Sequence, residues 1–128
     1  MISCGNYKLS SGIYSDFKIF CDDFSDENWD SLAKIANTMI EFEFCEVYGI
    51  PSGGVRLANN IKKYCVDPEI SDLVLIVDDV CTTGKSFLEA KELFPKRWHY
   101  CLCVFDRGNH AYNWVNSIFK LNSDLRYV

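Results

Sequence analysis

Leu73–Ser86 reads LVLIVDDVCTTGKS, and the order of residue types in it decides the fold class. Leu73 to Val77 is an unbroken apolar run, the pattern of a strand covered on both faces in a parallel sheet. Two adjacent carboxylates, Asp78 and Asp79, follow it. The polar stretch Asp78 to Thr83 reads as a loop, and Gly84 to Phe94 as a helix with Pro95 just beyond. Side-by-side acids repel and cost stability unless something uses them. Thr82, Thr83 and Gly84 at a helix start offer outward N–H groups and hydroxyls, which together make an anion cradle. Lys85 in the first turn opposes the helix dipole by a few tenths up to ~1 kcal/mol, and a bound phosphate would reverse that sign. One short loop therefore sets carboxylates, suited to hydroxyls or a metal, beside a seat for a phosphate. A ribose 5-phosphate needs that pair of features. A Walker A loop also ends in Gly-Lys-Ser, but its first glycine would fall on Asp79. A receiver domain carries an acidic pair at a strand end but no Thr-Thr-Gly-Lys-Ser after it. The plain alternative is an acidic loop that only caps a helix.

Outward from this segment, strand and helix alternate. Ser25-Asp26-Glu27 opens a helix whose Trp29, Leu32, Ala33, Ala36, Met39 and Ile40 share one face at helical spacing. Cys45 to Ile50 reads as a short strand ending in Pro51-Ser52-Gly53-Gly54, followed by a helix with Val55, Ala58, Ile61 and Cys65 on one stripe. Asp67-Pro68 breaks it. Tyr100 to Phe105 is the next strand, with Asp106-Arg107-Gly108 as its exit. His110 to Asn116 reads as a short helix and Ser117 to Leu121 as a last strand. Tyr7 to Phe20 alternates polar and apolar residues and reads as a hairpin or flap. The expected architecture is a single α/β domain over residues 1–128, with an open, mainly parallel sheet, right-handed crossovers, flanking helices and a small N-terminal hood at 1–24. Ligands of such sheets bind at the carboxyl ends of the strands, where the loops after Tyr48, Val77 and Phe105 all fall.

Composition narrows the function. The chain has 128 residues, 48% of them hydrophobic and 15% aromatic, enough for a core without staples. Its net charge of −5 and scattered basic residues speak against nucleic acid as the main partner. The seven cysteines form no CxxC pair and only two histidines accompany them, so a zinc site is not expected. The cysteines read as small buried hydrophobes in a reducing compartment, with Cys81 facing the sheet. Met1 to Gly12 lacks a leader-like apolar stretch, and no run approaches the ~20 apolar residues of a membrane span. The expectation is a soluble, cytoplasmic protein.

VDDVCTTGKS resembles the phosphoribosyl pyrophosphate signature of type I phosphoribosyltransferases. Two further stretches resemble the orotate branch of that group: Tyr7 to Phe17 its N-terminal hood, and Tyr48 to Ala58 its pyrophosphate loop and following helix. Val104-Phe105-Asp106-Arg107-Gly108 is similar to its late strand. The resemblance covers most of the chain, in the family's order. It implies an enzyme that transfers phosphoribosyl from phosphoribosyl pyrophosphate to a nucleobase, first of all orotate, with Mg²⁺ as cofactor. Asp78 and Asp79 would hold the ribose hydroxyls and, through water, the metal. Thr82, Thr83, Gly84, Lys85 and Ser86 would hold the 5-phosphate. Pro51, Ser52, Gly53 and Gly54 would form the pyrophosphate loop, and Phe17, Lys18 and Arg107 would flank the base. Arg107's plain alternative is a surface arginine in a loop.

The chain departs from the family's pattern in three places. About twenty positions separate Ala58 from Asp78, too few for the strand pair and mobile basic loop of ordinary orotate enzymes. Ser10 and Gly53 stand where the family has lysines, and Lys18, Arg56, Lys62 and Lys63 are the candidates to compensate. The alternatives are a weak or inactive module that binds phosphoribosyl pyrophosphate or a nucleotide to regulate a partner, and a transferase for another base. The family's usual homodimer would need a surface other than the absent loop.

Overall fold

The protein is described by a computed structural model, covering residues 21–108 and 110–121. The expected hood falls outside the described residues except for 21–24, as do Phe17 and Lys18. The element order is α1 (Asp26–Met39), β1 (Glu46–Gly49), α2 (Val55–Ile61), a 3-10 turn (Lys62–Tyr64), β2 (Val74–Cys81), α3 (Lys85–Lys91), β3 (His99–Asp106) and β4 (Val115–Lys120). The strands form one parallel sheet in the order β1-β2-β3-β4. It is the expected α/β architecture with a parallel sheet and flanking helices.

Ser25 caps α1: its hydroxyl accepts the Asn28 N–H at 3.1 Å, and the Asn28 side chain accepts the Ser25 N–H at 3.0 Å. Trp29, Leu32, Ala33 and Ala36 are buried as the periodicity predicts, whereas Met39 lies half exposed in the last turn. In α2 the buried stripe is Leu57, Ala58 and Ile61; Val55 is exposed at the start, and Cys65 lies past the 3-10 turn. The expected helix at Gly84 to Phe94 is shorter, ending at Lys91, and turns carry the chain to Pro95.

Two larger differences bear on the site. First, the expected loop at Asp78 begins four residues too early. β2 runs on through Asp78, Asp79, Val80 and Cys81, all buried, because β3 continues beside it with Asp78 opposite Cys103, Val80 opposite Phe105 and Cys81 opposite Asp106. Second, His110 to Asn116 is not a helix. His110 to Trp114 is a strap that bends at His110 and turns at Asn113–Trp114 into β4, with His110, Tyr112 and Trp114 half-buried and Ala111 and Asn113 exposed.

Strand alternation separates two cores. Leu75 and Val77 pack with Leu57, Ala58 and Ile61 of α2 and with Trp29, Leu32, Ala33 and Ala36 of α1. Val74 and Ile76 pack on the opposite face with Phe87 and Ala90 of α3, and Tyr112 and Trp114 of the strap join them. Because α2 and α3 cover opposite faces while β1, β2 and β3 advance in one direction, their crossovers have opposite hands. The expectation of right-handed crossovers throughout therefore fails for one of them. The strap lies on the α3 face and shares that crossover's hand, which leaves α2 as the odd one.

Of the six cysteines among the described residues, Cys21, Cys81, Cys101 and Cys103 are buried and Cys45 and Cys65 partly so. Burial pushes the Cys101 thiol from 9.0 up to about 12. A raised folded-state value stabilises fully below the unfolded value and is lost as pH rises through the folded one. Urea unfolding should therefore show stability falling between pH ~9 and ~12, with Cys101→Val losing less over that window than the native chain.

Candidate functional site

β1, β2 and β3 all end at one edge of the sheet, and the predicted site residues outside the hood meet there. Ile50 N–H bonds the Val77 carbonyl at 2.9 Å, which seats the Pro51–Gly54 turn on the end of β2. The Pro51–Ser52 peptide bond is cis. Arg107 N–H bonds the Cys81 carbonyl at 2.8 Å, which draws the β3 exit against the far side of β2.

Since β2 continues through the acid pair, the two carboxylates go to opposite faces. Asp78 faces the α3 side. It lines a pocket of about 350 Å³ with Val80, Cys81, Thr82, Thr83, Gly84, Lys85, Ser86 and Phe87. Its Oδ1 accepts the Asp79 N–H at 2.8 Å. The Thr82 hydroxyl is buried without a hydrogen-bond partner among the described residues. Lys85 is exposed and 4.0 Å from Glu89, and the Thr83 hydroxyl accepts the Lys85 N–H at 3.4 Å. Asp79 faces the α2 side and is not part of this pocket. Its Oδ1 accepts the Val80 N–H at 2.7 Å, and its buried Oδ2 has no hydrogen-bond partner among the described residues. A Cβ on Gly53 would lie 2.3 Å from that Oδ2, so only glycine fits there with Asp79 in place.

Arg107 is 8% exposed, which removes the reading of a surface arginine. Of the cations considered as compensation, Arg56 binds Asp26 at 3.0 Å and Lys63 binds Asp30.

Sequence reasoning missed the strap. Tyr112 presses on Gly84, where a Cβ would lie 2.6 Å from its ring, and Gly84 itself holds φ +82°. His110 and Tyr112 stack at 5.7 Å, and Tyr112 and Trp114 at 4.9 Å. Lys91 Nζ sits 4.0 Å over the Trp114 ring. The alternation His110, Tyr112, Trp114, with Asn113 as a turn residue, was the signal against a helix.

Cys81, Asp106 and His110 bring possible ligand atoms within 4.8 Å of one another. Tyr112 N–H donates to His110 Nδ1 at 3.1 Å, so the ring proton sits on Nε2, which donates to Asp106 at 2.9 Å. Neither ring nitrogen then offers a free lone pair, and the cluster is a hydrogen-bonded anchor for the strap. The Cys103 thiol donates to the Asn116 carbonyl at 3.6 Å; its proximity to Cys81 lowers the Cys81 value against the effect of burial, while the same proximity and burial raise that of Cys103.

No protein-family model matches the sequence, and no curated protein matches it. Among solved structures, the fold matches the crystal structure of orotate phosphoribosyltransferase from Aeropyrum pernix, with a TM-score of 0.58 over 80% of this chain and 76% of that one, at 17% identity. The fold is type I phosphoribosyltransferase-like. Within this phosphoribosyltransferase-like fold, the Pro51–Gly54 turn and the Thr82–Ser86 segment flank the end of β2 from opposite faces. No helix among the described residues is long and apolar enough to cross a membrane.

Gly84→Ala meets both a left-handed backbone and the Tyr112 ring, so it should lower stability by ~1–2 kcal/mol. Adding Tyr112→Ala should relieve only the steric part, and a double-mutant cycle in urea should return a coupling energy of at least ~0.5 kcal/mol.

Proposed function

We propose that this chain binds phosphoribosyl pyrophosphate at the end of β2 and transfers its phosphoribosyl group to a nucleobase, orotate first among them. The observation that carries the reading is the pair of orphaned buried polar atoms on either side of that strand end, Thr82 Oγ1 and Asp79 Oδ2. Buried polar atoms are normally satisfied, and these two border the α3-side pocket and a glycine turn.

In this reading the 5-phosphate takes the Thr82 hydroxyl and the N–H groups of Thr83 to Ser86, with Lys85 as counter-charge. Asp78 accepts from the ribose hydroxyls. The Pro51–Gly54 turn receives the pyrophosphate, and Arg107, whose guanidinium can fork onto a carboxylate, faces the base. The bond from ribose C1 to pyrophosphate breaks as C1 joins a ring nitrogen of the base, so charge develops on the sugar and on the leaving group. The residues act by position and electrostatics, with no protein nucleophile. A buried carboxylate oxygen without a hydrogen bond suits a hard divalent cation, so Asp79 is the residue that would hold magnesium, directly or through water. Bound there, magnesium supplies charge neutralisation to the pyrophosphate.

A second reading, a nucleotide-binding module without turnover, is favoured by one observation: Arg56 and Lys63, two of the cations that follow the turn in sequence, bind Asp26 and Asp30 instead. Assembly as a homodimer and residence in the cytoplasm belong to the same proposal.

Asp78→Asn should weaken ribose 5-phosphate binding by at least about tenfold in calorimetry, with an unchanged circular dichroism spectrum. Undiminished affinity would remove Asp78 from the site. Ultraviolet absorbance with orotate, phosphoribosyl pyrophosphate and Mg²⁺ separates the two readings: loss of orotate supports the transferase, and binding without turnover the module.

A further inference from the structure

At the amino ends of the strands, the segments that lead into β1, β2 and β3 enclose a groove of about 320 Å³. Its apolar walls are Phe42, Ile70 and Trp98, which are 60%, 64% and 75% exposed. Three large apolar side chains this open in one groove form a patch, and such patches mark interaction surfaces. The walls are tied together by hydrogen bonds. The Ser71 hydroxyl donates to the Glu43 carbonyl at 2.8 Å, and Val74 N–H donates to the Trp98 carbonyl at 2.8 Å. Arg97 donates from Nε to the Asp72 carbonyl at 3.0 Å and from Nη1 to Glu46 at 2.6 Å. The groove is therefore formed before any partner arrives.

Its charge selects the occupant. Glu41, Glu43 and Asp72 line the groove beside the apolar walls, and among the described residues no lysine or arginine lines it. Lys96 and Arg97 precede Trp98 in the chain, but Arg97 is engaged by Glu46 and the Asp72 carbonyl. The open ring faces of Trp98 and Phe42 attract cations as well. A second copy seated groove to groove would set like charges against each other. Nucleic acid and anionic lipid meet the same repulsion. A basic segment that also carries apolar side chains satisfies the carboxylates, the indole face and the walls together.

We propose that this groove docks a segment of another protein in which arginine or lysine is interleaved with large apolar side chains. The groove lies at the opposite end of the parallel sheet from the edge where Pro51–Gly54 and Thr82–Ser86 meet. Docking there leaves the candidate site open, and the proposal stands whether or not the transferase reading does.

The test is fluorescence anisotropy on the full chain with fluorescein-labelled hexapeptides of alternating arginine and leucine, of alternating glutamate and leucine, and of arginine alone. The arginine–leucine peptide should bind at least about tenfold more tightly than either of the others. Phe42→Ser combined with Trp98→Ser should weaken it at least about tenfold. Glu41→Gln, Glu43→Gln and Asp72→Asn together should do the same and flatten its salt dependence. All five side chains are exposed, so circular dichroism should show the fold unchanged. The proposal is overturned if the arginine–leucine peptide does not bind, or binds no better than the glutamate–leucine one. Equal binding of the all-arginine peptide, which needs only the carboxylates, overturns it too, as does undiminished affinity in the Phe42 and Trp98 variant. A native dimer in sedimentation equilibrium that Trp98→Ser dissociates gives the groove to a second copy instead. If the apolar variant fails to fold, the comparison of peptides on the native chain decides.

Discussion

The pleat of β2 carries through the acid pair, and the arrangement of the site follows from that. A loop at Asp78 could have turned both carboxylates toward one ligand. A strand cannot, because successive side chains leave it on opposite faces. β2 stays a strand to Cys81 because β3 is long enough to pair with it to the same level, and all eight of its residues are buried. Asp78 is thereby committed to the α3 face with Thr82 to Ser86, and Asp79 to the α2 face with Gly53.

The opposite hands of the two crossovers serve the same division. Had α2 and α3 covered one face, the Pro51–Gly54 turn and the Thr82–Ser86 segment would both reach the edge from that side. As built, they reach the end of β2 from its two faces. The strap from His110 to Trp114 completes the α3 side: it is tied to Asp106 by His110, and it presses on Gly84 through Tyr112. The conformation of the phosphate cradle thus depends on a segment nearly thirty residues further along the chain.

Charge at this edge is unevenly spread. Asp78, Asp79 and Asp106 are buried there with Arg107. Asp106 is satisfied by His110 and by the Gly108 N–H at 2.8 Å, and Asp78 binds the Asp79 N–H. Asp79 keeps one oxygen without a hydrogen bond among the described residues. A buried carboxylate oxygen left this way is costly by itself, and the proposed ligand chemistry gives it a use.

By itself the sequence determined the α/β class, the parallel sheet, the strand at Leu73–Val77 and the loops that gather at its carboxyl edge. Those follow from local apolar runs, helix caps and glycine turns, which act within a few residues. It also placed Asp78 to Ser86, Pro51 to Gly54 and Arg107 at one edge, because strand order and direction fix where such loops emerge. Only the tertiary structure decided how far β2 extends, since that depends on the length of β3 beside it. Only the tertiary structure separated Asp78 from Asp79, buried Arg107, gave α2 its hand and laid Tyr112 on Gly84. Each of these depends on which partner lies across a strand or over a face, and no pattern within a single segment encodes that.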